Sequence, residues 1–175
     1  AGKSSFIRAG LIPARPRAWA AVVCTPGSSP AVGLAQALVL ELSDDSAALQ
    51  DLVRSDDPDA MVSAVSSWRR RHDEALLVVD QFEELFTLAR EQEVVPFQQT
   101  LLRLAEHSDC YVVLTVRADF YPHLMIPPLW DEIKDCRAEV LPLDENRHLL
   151  DDYQLSYLSA GRDVLRFGVF HAGPA

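Results

Sequence analysis

The stretch Leu76-Leu77-Val78-Val79-Asp80-Gln81-Phe82-Glu83-Glu84-Leu85-Phe86 sets the fold class. Four apolar residues in a row, two of them β-branched, read as a strand buried on both faces, the pattern of a parallel sheet. The run stops on an acid, and ligands of open α/β sheets sit at the carboxyl ends of the strands. Asp80 followed by Glu83 and Glu84 suits a metal–phosphate site. The plainer alternative is a strand that ends in a solvated acidic turn.

The first five residues favour the metal–phosphate reading. Ala1-Gly2-Lys3-Ser4-Ser5 is the back half of the phosphate-loop pattern G-x-x-x-x-G-K-[ST]. Gly lets backbone N–H groups approach phosphate, Lys places a point charge on the outer phosphates, and the Ser hydroxyl ligates Mg²⁺. The helix that starts there turns its positive end toward the anion. Gly-Lys-Ser alone is a weak signal. Followed by a helical pattern and, far downstream, by an apolar strand ending in Asp, it is a strong one. Loop first and Mg-binding Asp second is the order in P-loop NTPases.

Three blocks make the similarity specific: Ala1 to Ala14, Val78 to Thr87, and Leu114-Thr115-Val116-Arg117-Ala118-Asp119-Phe120-Tyr121. In this order they resemble the STAND P-loop NTPases, and among these the novel STAND NTPase 1 group, often found in large bacterial signalling proteins. The resemblance implies an α/β fold, a three-layer αβα sandwich around a parallel sheet of P-loop NTPase type. It implies ATP and Mg²⁺ as cofactors, with Gly2, Lys3, Ser4 and Ser5 on the nucleotide and Ser4 and Asp80 on the metal. Asp80 takes the Walker B position, holding Mg²⁺ directly or through water. One of Glu83 and Glu84 orients or deprotonates the attacking water, and the sequence does not choose between them. Arg117 matches the sensor arginine that contacts the γ-phosphate; the competing reading of Arg117 is an ion pair with Asp119 or Glu84.

Composition bounds the rest. A chain of 175 residues, 49% hydrophobic, supports one domain with a substantial core. A formal net charge of −10 disfavours nonspecific binding to nucleic acid or anionic membranes. Lys3 and Lys134 are the only lysines, which makes Lys3 inside Gly-Lys-Ser more notable. Cys24, Cys110 and Cys136 are dispersed and odd in number, so plain thiols in a reducing cytosol are expected. No apolar run approaches the roughly 20 residues of a membrane helix. The expected location is cytoplasmic, and the expected partners are a nucleoside triphosphate, fused signalling modules and copies of the parent protein.

In chain order, the patterns predict a helix from Ser4 to Leu11 ended by Pro13 and Pro16. They predict a strand at Trp19–Cys24 and helices at Ala31–Leu42, Ala47–Arg54 and Pro58–Arg71. Beyond Asp80 follow a short helix at Phe82–Arg90, a helix at Val94–His107, a strand at Cys110–Val116, an edge strand at Ala138–Leu141 and a helix from Asp144 to about Ser159. Residues 162–175 show weak periodicity and read as a divergent tail. The expected division is a partial P-loop domain over 1–143 and a C-terminal helix with tail over 144–175. The strand and Gly-x-x-Gly that should precede Ala1 are not in the sequence, so a sheet short of its central strand is expected. The rival functional class is therefore a P-loop scaffold or oligomerisation module that no longer binds nucleotide. A P-loop kinase is a weaker rival, since no acceptor-binding signature is visible.

Overall fold

The computed structural model describes residues 3–42, 58–108, 110–134, 137–140 and 167–172. Five parallel strands form one sheet in the order β1-β2-β3-β5-β4. They are β1 (Trp19–Cys24), β2 (Glu74–Val79), β3 (Tyr111–Arg117), β4 (Arg137–Val140) and β5 (Phe167–Ala172). Parallel neighbours require crossovers, and among the described residues helices lie in the connections from β1 to β2, β2 to β3 and β3 to β4. α1 spans residues 3–14, with an α-helical turn at Lys3–Ser5, a π-helical stretch at Phe6–Leu11 and a last turn at Ile12–Ala14. Then come α2 (Pro30–Glu41), α3 (Pro58–Arg69), α4 (Glu84–Thr87), α5 (Glu91–His107), α6 (Tyr121–Leu124) and α7 (Trp130–Ile133).

Strand alternation divides the apolar residues between the two faces of the sheet. Val22, Leu77, Val79, Val112 and Leu114 meet Leu38 of α2, Trp68 of α3 and Leu101 of α5 in the larger cluster. Leu124, Leu129 and Ile133, from the connection after β3, join that same cluster. On the opposite face Leu76, Val78 and Val113 pack against Ile7 and Leu11 of α1. β2 is therefore buried on both sides, as its unbroken apolar run requires. Gly33 near the start of α2 lets the helix approach β1's exit loop: a Cβ there would sit 2.8 Å from the Thr25 carbonyl oxygen.

β1 coincides with the predicted strand, and β2, β3, β4 and the long helices overlap their predictions. α1 runs on through Pro13 to Ala14, because Pro is tolerated in the first turn of the α-helical segment it opens. The expected helix at Phe82–Arg90 shrinks to Glu84–Thr87, since residues 81–83 turn sharply after β2. The largest correction concerns residues 162–175. Phe167–Ala172 is a strand, and it lies inside the sheet between β3 and β4. A six-residue run interrupted by Gly168 and His171 carries too little periodicity to be told from a loop. The predicted helices at 47–54 and 144–159 fall outside the described residues.

Candidate nucleotide site at the carboxyl edge

β2 delivers Asp80 one residue beyond its last ladder position. The Asp80 backbone N–H donates to the Cys24 carbonyl at 2.8 Å, which fixes it level with the end of β1. Its carboxylate is only 1% exposed. Oδ1 accepts from the Thr115 hydroxyl at 2.5 Å and from the Gln81 N–H at 3.0 Å, while Oδ2 is buried with no hydrogen-bond partner among the described residues. A buried carboxylate oxygen without a donor is costly unless something else compensates it. Burial together with the nearby Asp80 charge pushes the Cys24 thiol up to about 12, desolvation being the larger cause.

The turn after Asp80 is held open by strained backbone. Gln81 has φ 56°, the left-handed region that non-glycine residues rarely adopt, and its N–H also reaches Thr115 Oγ1 at 3.0 Å. The Phe82 N–H then donates to the Thr115 carbonyl at 2.7 Å. Thr115, fully buried in β3, thus organises the whole turn. Sequence reasoning assigned Thr115 no role; its one signal was a hydroxyl inside an otherwise apolar strand.

Glu83 and Glu84 both sit at this edge, half-buried, and each ties it to a different strand. Glu83 Oε2 accepts from the Arg117 backbone N–H at 3.2 Å, at the end of β3. Glu84 Oε2 accepts from the Gly27 N–H at 3.0 Å, in the loop after β1, where Gly27 has φ 58°. The Arg117 guanidinium makes a two-pronged contact with Asp119, Nε to Oδ1 at 3.1 Å and Nη2 to Oδ2 at 2.7 Å, and lies over the Phe120 ring. It is paired with Asp119, one of the two partners the sequence offered, and Glu84 bonds to Gly27 instead.

Lys3 opens α1, Ser4 is half-buried and Ser5 exposed; Gly2 lies outside the described residues. The first turn of α1 lies against β3 and β5. α1 covers the face carrying Leu76, Val78 and Val113. By alternation Asp80 and Thr115 belong to that face. The helix and the carboxylate are therefore on the same side of the sheet.

A family model for novel STAND NTPase 1 matches residues 1–149. The chain belongs to the novel STAND NTPase 1 family. No curated protein and no solved structure matched the chain. Membership makes this a nucleotide-related domain, and the carboxyl edge carrying Asp80 is where ligands of α/β sheets bind. No helix among the described residues is long and apolar enough to cross a membrane.

Proposed function

We propose that this STAND NTPase domain is a Mg²⁺-dependent ATP switch of P-loop type, built as a three-layer αβα sandwich, within a cytoplasmic bacterial signalling protein. One observation carries the reading: Asp80 Oδ2, a buried carboxylate oxygen that no protein group satisfies among the described residues. A divalent cation would compensate it. No group of three or more His, Cys, Asp or Glu among the described residues is arranged to hold a metal ion by itself. That suits Mg²⁺, which is held by one or two carboxylates plus substrate phosphates and water rather than by an all-protein cage.

Ser4 and Asp80 would hold the metal, whose chemistry is to neutralise charge on the β- and γ-phosphates. Gly2, Lys3 and Ser5 bind the phosphates at the start of α1, where backbone N–H groups favour an anion. α1 ends close to the first residue of β1, at the amino edge of the sheet: the Trp19 N–H donates to the Pro16 carbonyl at 3.0 Å. Twelve helical residues extend about 18 Å, comparable to a six-residue strand. The Lys3 end of α1 thus projects toward the carboxyl edge that holds Asp80. Glu83 or Glu84 orients the attacking water, and Arg117 exchanges Asp119 for the γ-phosphate. That exchange is the switch. Hydrolysis proceeds by positioning and charge neutralisation and resets it.

Equilibrium binding of a fluorescent ATP analogue with Mg²⁺ tests the reading. Lys3→Ala should weaken binding by at least about tenfold, roughly 1.4 kcal/mol. Equal affinity of Lys3→Ala and the parent would sink it, and no binding by either would leave the scaffold reading in its place.

A further inference from the structure

The two glutamates at the carboxyl edge are each tied to backbone, Glu83 by the Arg117 N–H and Glu84 by the Gly27 N–H. Each therefore clamps a neighbouring loop. Gln81 stands between them and Asp80 in the sequence and is exposed. All of its hydrogen bonds among the described residues run through its backbone. The N–H donates to Asp80 Oδ1 and Thr115 Oγ1, each at 3.0 Å, and the carbonyl accepts from the Glu84 N–H at 2.9 Å. Its carboxamide is thus uncommitted among those residues, one position along the chain from the buried, unpartnered Asp80 Oδ2.

The backbone of Gln81 adds a second observation. At φ 56° a residue with a Cβ is strained, whereas glycine would sit there without steric cost. The bonds to Asp80, Thr115 and Glu84 need only backbone atoms of residue 81, so a glycine could make all three. Strain kept by a side chain that the local hydrogen bonding does not need is a mark of functional sites. A carboxamide carries a donor and an acceptor on one arm, and a glutamine can orient the water that attacks a γ-phosphate.

We propose that Gln81 is a further catalytic residue of the ATP hydrolysis proposed above, a reading on which its role rests. The carboxamide oxygen accepts from the attacking water, and the carboxamide N–H donates to a γ-phosphate oxygen. Gln81 and one of the two glutamates hold the water between them. The water oxygen bonds to the γ-phosphorus as the bond from that phosphorus to the bridging oxygen breaks, and the electron pair of the broken bond leaves with ADP. The water's proton passes to the glutamate carboxylate and from there to solvent.

The test measures phosphate release, affinity for a fluorescent ATP analogue with Mg²⁺, and Tm in the parent chain, Gln81→Gly and Gln81→Met. Glycine relieves the backbone and removes the arm. Methionine keeps the strain and the length of the arm and removes its hydrogen bonds. Both variants should bind Mg-ATP within about threefold of the parent and hydrolyse it about 100-fold more slowly. Gln81→Gly should also raise Tm by about 2–4 °C, the relieved strain outweighing the added freedom of the unfolded chain. A merely structural residue, once removed, would not leave a slower protein that is also more stable. Hydrolysis by either variant within about threefold of the parent overturns the proposal. So does a loss of affinity as large as the loss of rate, a lowered Tm in Gln81→Gly, or a parent that binds Mg-ATP without turning it over. A parent that binds no Mg-ATP sinks the nucleotide reading itself, and the role of Gln81 with it.

Discussion

Asp80 carries a large cost, which the metal role proposed for it would offset. Its carboxylate is buried, bonded through one oxygen to Thr115 and Gln81, and lacks a partner on the other. Asp80→Asn keeps Oδ1 as acceptor and removes a buried charge. The variant should therefore be more stable than the parent in metal-free buffer, by about 1–3 kcal/mol. That corresponds to a rise in Tm of roughly 2–4 °C per kcal/mol by calorimetry. A lower Tm would mean that the carboxylate is already compensated. Thr115→Val acts in the opposite sense: it removes the only side-chain donor to Asp80 among the described residues and should cost about 1–3 kcal/mol in denaturant titration. Cys24 offers a further check, since a buried thiol pushed up to about 12 is not a nucleophile near neutrality. Mass spectrometry after alkylation at pH 8 should find Cys24 unmodified in the native chain and modified once denaturant is added. At this scale the sequence disclosed Asp80, Glu83, Glu84 and Arg117, because acids and bases at strand ends are conspicuous. Thr115, the Gly27–Glu84 contact and the left-handed Gln81 stayed hidden, because they depend on which strand lies beside which.

At the scale of elements, β2 is the best-determined part. Its run is apolar on both faces, and the structure buries both: Leu77 faces the helices α2, α3 and α5, and Val78 faces α1. Leu77→Ala leaves a cavity in a tightly packed layer and should cost about 2–5 kcal/mol in urea unfolding. The end of β3 is different. The Arg117–Asp119 pair has both side chains 57% exposed, and such pairs contribute below about 1 kcal/mol. Asp119→Ala should leave stability nearly unchanged while freeing Arg117 for phosphate, so affinity for Mg-ATP should hold or rise. A marked loss of stability would show Asp119 to be a structural post. β1, β2 and β3 were legible because each is a long apolar run between turn signals. β5 was not, since six residues broken by Gly168 and His171 take their strand character from the neighbours β3 and β4.

For the molecule as a whole, the sheet gathers distant segments at one edge. The ends of β1, β2 and β3 come together through backbone and carboxylate hydrogen bonds, and α1 covers the same face as Asp80. With an acidic balance of −10, the triphosphate binding proposed for this edge would require local positive charge and a metal. Family membership and the α/β class could be read from three short blocks of sequence, whereas the strand order could not, because β5 joins the sheet out of chain order. The most direct measurement is calorimetric titration of ATP, with and without Mg²⁺, into the parent chain and into Asp80→Asn. The parent should bind Mg-ATP at least about tenfold more tightly than ATP alone, and Asp80→Asn should bind the two equally. An Asp80→Asn variant that kept the full preference for Mg-ATP would contradict the central role given to this carboxylate.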